Sequence, residues 1–131
     1  MSPFSRVVLF SALGVLAFDV TAATASRMLD VPYGSLALGS YLIYAAAGHF
    51  AARATGSISR GALAGFAAGL AESTLGWLLS AAIGPGRPTG AAAEPLPIAV
   101  AVVVVPVGAA FVGFLGAAIS RFFSGGRSRP A

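Results

Sequence analysis

The chain has 131 residues, 57% of them hydrophobic and only 9% charged. Soluble domains carry roughly a quarter charged residues, so this composition excludes an ordinary soluble globule. Eight arginines against four acids give a net charge of +4, too few and too scattered for a nucleic-acid surface.

The first apolar stretch covers about residues 7–28, "VVLFSALGVLAFDVTAATASRM", and contains Asp19. On a wheel of 3.6 residues per turn, Ala12, Ala22, Ala23 and Ser26 share the side of Asp19, and Phe10, Leu13 and Met28 lie opposite. A competing reading takes this stretch as a signal peptide cleaved after Ala25. The acid just before that point, and a single Arg6 ahead of the apolar run, argue against it.

The second stretch, about 34–52, carries Tyr41 and Tyr44 on a face otherwise made of Gly34, Ala37, Ala45, Gly48 and Ala52. His49, the one histidine of the chain, lies on its flank as a packing residue. The third, about 61–83, places Leu63, Phe66, Leu70 and Trp77 on one side. Gly61, Gly65, Ala68, Gly69, Glu72 and Gly76 fall on the other. Bulky residues suit lipid, whereas a small-residue face lets another helix approach closely. Glu72 therefore points toward protein. The fourth stretch, about 98–122, holds Pro106, which removes a helical hydrogen bond and predicts a kink. The small residues Gly108, Gly113, Gly116, Ala117 and Ser120 follow it.

Each stretch reaches, the second only just, the ~20 residues that cross a bilayer. The separators "LDVPY", "RATGSISR" and "GPGRPTGAAAEPLP" carry turn residues. The sequence thus predicts an all-α integral membrane four-helix bundle, up-down-up-down, a single transmembrane domain over residues 1–131. Orientation follows from arginine placement. Arg6, Arg53, Arg60, Arg121, Arg127 and Arg129 share one side, while Arg27 and Arg87, with Asp30 and Glu94, share the other. Both termini are expected in the cytoplasm. Phe4, Phe122 and Phe123 anchor the inner boundary, and Tyr33 and Trp77 the outer one. The absence of lysine beside abundant alanine and glycine hints at a GC-rich bacterial genome, hence an inner (cell) membrane.

With no cysteine and one histidine, disulfides, thiolate chemistry and histidine–cysteine metal sites fall away. No metal and no cofactor are expected, and no nucleophile–base pair points to an enzyme. The chemistry that stands out is the pair of intramembrane acids. Counted at 1.5 Å per residue from the arginine-rich side, Asp19 and Glu72 lie at similar depth, about 18 Å in. Such acids serve either as neutral hydrogen-bonding groups between helices or as a proton or cation site. Tyr41 and Tyr44 are the hydroxyls expected within reach.

The string "LAFDVTAATASRMLD" resembles the first helix of the small multidrug resistance exporters: an acid, then small and hydroxyl residues, then a basic residue. The family acid is Glu where Asp19 stands, the third and fourth stretches carry no family motif, and Glu72 has no counterpart. The chain is therefore not assigned to that family. Sequence favours a non-enzymatic packing or accessory subunit that associates through the glycine-rich face of Gly61, Gly65, Gly69 and Gly76. The alternative is a small proton- or cation-coupled transporter using Asp19 and Glu72. The expected partners are the lipid bilayer and further copies of the chain or a larger membrane complex.

Overall fold

The computed structural model describes residues 1–36, 38–87 and 95–124. Ala37, Glu94, Arg127 and Arg129, which entered the sequence reading, lie outside the described residues. All described regular structure is helical, in six α-helices and one π turn. Helix α1 spans Pro3–Leu29. Ser2 caps it by accepting from the Ser5 amide at 3.1 Å, and Pro3 occupies the first turn, where its missing N–H costs nothing. Asp30 closes it in the left-handed region, φ 53°.

A single helical turn, α2 (Tyr33–Leu36), precedes α3 (Leu38–Thr55). Ser57, which accepts from the Arg60 amide, begins α4 (Ile58–Ala71). The chain continues without a break through a π turn, Glu72–Gly76, into α5 (Trp77–Ile83). Helix α6, Pro95–Ser124, runs on through Pro106.

Among the described residues, three helices are long and apolar enough to cross a membrane: Pro3–Leu29, Ile58–Ile83 and Ile98–Phe123. Helix α3, the second expected span, is not one of them. Its 18 residues include Ser40, Tyr41, Tyr44, His49 and Arg53, which dilute its apolarity. It nevertheless packs against α1, α4 and α6.

Small residues set the packing of α3, α4 and α6. A Cβ on Gly65 would strike the Ala109 carbonyl oxygen and lie 3.0 Å from the Gly113 Cα. On Gly69 it would meet Ala109 and come within 3.0 Å of the Pro106 Cα, and on Gly48 it would strike the Gly113 carbonyl. Glycines here let backbones touch, and dispersion across the contact replaces bulky side chains. Outward lie Phe10, Leu13, Leu63, Phe66, Leu70 and Phe111. This matches the expected division of the first and third stretches, with one exception. Trp77 is partly buried, and the exposed face continues instead through Leu75, Leu78 and Leu79. A wheel of constant period fails there because the π turn holds more residues per turn and shifts the phase of everything after it.

The described arginines gather at the two ends. Arg60 stacks over the Phe4 ring at 5.6 Å, Arg121 donates to the Gly56 carbonyl, and Arg6 and Arg53 border one groove. At the opposite end Arg27 donates to the Ile83 carbonyl at 3.1 Å and borders a cavity with Arg87.

Candidate carboxylate site

Asp19 is carried by α1 on the buried face formed by Val15, Ala22, Ala23 and Ser26, and is itself only 2% exposed. Glu72 opens the π turn. Single π turns inside α-helices occur often at functional sites. The two acidic side chains approach each other beside Gly76 and line the same two cavities. A Cβ built on Gly76 would collide with Asp19 Oδ2 and lie 3.5 Å from Glu72 Cγ. Glycine at position 76 is thus what allows the Asp19 carboxyl to sit against the π turn.

Hydroxyl groups from the second stretch hold Glu72. Ser40 Oγ donates to Oε1 at 2.9 Å, and the Tyr44 hydroxyl donates to Oε2. Ser40 and Tyr44 are one helical turn apart on the buried face of α3, so a single helix presents both donors to both carboxyl oxygens. On Asp19, Oδ1 accepts from the Tyr33 hydroxyl at 3.3 Å. The Tyr33 phenol is a protonated donor at neutral pH, and burial pushes it further above its usual range. Asp19 Oδ2 is buried and has no hydrogen-bond partner among the described residues.

A cavity of about 370 Å³ reaches both carboxyls and extends past Ser73, Trp77 and Ser80 to the turn at Pro85–Arg87. That turn is folded down by amide donations from Gly84 and Gly86 to the Ser80 carbonyl, at 3.0 and 3.3 Å. A second, small cavity of about 40 Å³ lies between the carboxyls, Tyr33 and Ser40. Toward the other end lie two clusters of packed apolar side chains. Val15, Tyr44, Ala68 and Ala109 pack directly below the site, and Ala47, Ala51 and Ala64 with Phe4 and Val7 pack beyond them. Among the described residues, the cavity at the carboxyl pair thus extends toward the Pro85–Arg87 turn, with packed apolar side chains on its other side.

Of the residues singled out from sequence, the structure brings Asp19, Glu72, Tyr44 and Gly76 together. Tyr41 stands apart. It is 49% exposed, and its ring meets Tyr44 edge-on at 6.0 Å without reaching a carboxyl. Gly61, Gly65 and Gly69 face α6 rather than the acids. His49 is a partly buried packing residue against Phe50. Sequence reasoning missed Ser40 and gave Tyr33 and Trp77 only an interfacial role. The spacing of Ser40 and Tyr44, four residues apart on one helix face, was the available signal for the first. No group of three or more histidine, cysteine or acidic side chains able to hold a metal ion occurs among the described residues.

Fold and site are compatible with a small membrane protein: the described residues are helical, three helices are long and apolar enough to cross a bilayer, and two acidic side chains meet between them. No family model, no curated protein and no solved structure matches the chain. Its function must be argued from the site itself.

Proposed function

We propose that the protein is a small multi-pass protein of the bacterial inner membrane whose Asp19–Glu72 pair binds and releases a proton or a monovalent cation, as the core of a proton- or cation-coupled transporter. The observation that carries this reading is that two acidic side chains from different helices meet beside Gly76 and line one cavity that extends to the Pro85–Arg87 turn. Two adjacent acids cannot both keep their charge in a low-dielectric site without a cation between them. A proton or a small cation meets that need, and each can displace the other. Asp19 Oδ2, buried and without a hydrogen-bond partner among the described residues, is the atom with free capacity. Ser40, Tyr44 and Tyr33 hold the remaining carboxyl oxygens in place.

In this reading α3 is the fourth span, held in the bundle by its contacts with α1, α4 and α6. The end bearing Arg6, Arg53, Arg60 and Arg121 faces the cytoplasm, which makes the described state open outward and closed inward. Transport then requires the apolar packing around Ala47, Ala51 and Ala64 to part. Four helices enclose little volume, so the working unit is a homo-oligomer. The accessory-subunit reading relies on a glycine face free to meet a partner, and Gly61, Gly65 and Gly69 already pack on α6 of their own chain.

The test is flux in proteoliposomes for wild type, Glu72→Gln and Asp19→Asn. Amides preserve shape and hydrogen bonding but have no charged form. Both variants are expected to insert and fold, and at least one to lose pH-dependent flux. Wild-type liposomes that carry no proton-coupled flux would return the pair to the role of neutral hydrogen-bonding groups.

A further inference from the structure

A cavity larger than those at the carboxyls lies elsewhere. It is a groove of about 950 Å³ between the first half of α1 and α3 from Leu42 to Ala54. Its wall is apolar, built from Val7, Phe10, Leu42, Ile43, Ala46 and Phe50. Two charged groups border it, Arg6 on α1 and Arg53 in the last turn of α3, and no acid does. The lining runs from Pro3 to Ser11 on one helix and from Leu42 to Ala54 on the other. At 1.5 Å per residue these are rises of about 12 and 18 Å, close to one leaflet of a hydrocarbon core ~30 Å thick.

The four described arginines at this end of the bundle divide into two kinds. Arg60 is spent on the Phe4 ring and Arg121 on the Gly56 carbonyl. Arg6 and Arg53 are exposed, and their side chains make no hydrogen bond or ion pair among the described residues. The two uncommitted guanidinium groups are the ones beside the apolar groove. A ligand that complements this arrangement has a long apolar body and an anionic head that takes paired N–H donors, for which arginine and phosphate are geometrically matched.

We propose that this groove seats an acyl chain of an anionic phospholipid, with its phosphate held between Arg6 and Arg53. The site is separate from the carboxyl pair and rests only on the chain being embedded in a membrane, so it stands whether or not the pair carries ions. A bound lipid bridges α1 and α3 at the end where the cluster of Ala47, Ala51 and Ala64 packs, and so contributes to holding that packing together.

The purified full chain in non-ionic detergent would be mixed with phosphatidylglycerol or with phosphatidylcholine of identical acyl chains. Thermal unfolding and native mass spectrometry then report stabilisation and retained lipid. Phosphatidylglycerol is expected to raise the melting temperature and remain bound, and phosphatidylcholine and inorganic phosphate are expected to do neither. Arg6→Gln or Arg53→Gln alone should weaken the headgroup preference about fivefold, and the two together should abolish it. Arg27→Gln, at the opposite end, should leave the preference unchanged. Ala46→Phe fills the groove with both arginines intact and should lose the lipid as well. Equal retention of the two lipids overturns the proposal, as does full retention of phosphatidylglycerol by the double arginine variant. A matching shift with inorganic phosphate shows that the groove is not used and overturns it too. A change of oligomer mass in Ala46→Phe, with no lipid preference in wild type, assigns the groove to a second copy of the chain and overturns it equally. If Ala46→Phe does not fold, the arginine variants, whose side chains are at the surface, still decide the matter.

Discussion

Substituting alanine at Gly65 and at Gly108 isolates the energy of close helix approach. Both glycines lie inside helices, so both substitutions gain the same helix propensity, about 0.5–1 kcal/mol. Their surroundings differ completely. A Cβ on Gly108 meets nothing within 4 Å, whereas on Gly65 it overlaps the Ala109 carbonyl oxygen and stands 3.0 Å from the Gly113 Cα. Those neighbours are backbone atoms of α6, which cannot swing aside as a side chain would, so α4 and α6 must separate. Overpacking of this kind costs about 1–3 kcal/mol. Gly108→Ala should therefore be neutral or slightly stabilising, and Gly65→Ala should fall below it by about 1–3 kcal/mol. The assay is equilibrium unfolding in mixed micelles, followed by helical circular dichroism, with Gly14→Ala as a second open-space control. If Gly65→Ala matched Gly108→Ala within error, the close contact between α4 and α6 would have to be abandoned.

Other outcomes follow from the site and the bundle. Tyr44→Phe removes the donor to Glu72 Oε2 and should destabilise by about 1–3 kcal/mol, whereas Tyr41→Phe, whose ring reaches no carboxyl, should stay within about 0.5 kcal/mol; the same micelle titration checks both, and the reverse order would mean that Tyr41 is the carboxyl's partner. Because the chain lacks cysteine, Ser73→Cys places a unique thiol in the cavity and Ala64→Cys one in the packed apolar cluster. A water-soluble thiol reagent should modify the first in intact proteoliposomes and spare the second; equal labelling would refute one-sided access. Reporter fusions at residue 131 and in the 84–97 connection should report opposite sides of the membrane, cytoplasmic and external, and agreement between them would remove the four-span arrangement.

The apolar lengths of the first, third and fourth stretches and the inward direction of Asp19 were legible because both depend only on helical rise and period. The apolarity of the second stretch, diluted by polar residues, does not support the span expected there. Ala22, Ala23 and Ser26 share the Asp19 face at the ordinary spacing, and the structure buries all three. The position of Trp77 was not legible. No residue in "ESTLG" announces a π turn, which is selected by packing rather than by local preference. The role of Tyr33 was hidden differently, since it lies beyond the left-handed turn at Asp30 and reaches back fourteen positions to Asp19. Wheel arithmetic stops at such a turn. The meeting of Asp19 with Glu72 was expected only as equal depth. Shared depth says nothing of separation within the membrane plane, and it is Gly76 that makes the approach sterically possible.

The π turn also imposes a constraint on chain length. Upstream, the register of α4 is locked by Gly61, Gly65 and Gly69 against α6; downstream, α5 is locked by Ser80 beneath the Gly84–Arg87 turn. A π turn amounts to one residue more than an α-helix needs, and each residue of α-helix is worth about 100° of rotation. Deleting one residue such as Thr74 would regularise the helix, yet no rotation of it then satisfies both locks. Many replacements of Thr74 would be tolerated in a gene library where its removal is not. In descendants of this sequence, indels should avoid residues 72–76 far more strictly than amino-acid identity there would suggest.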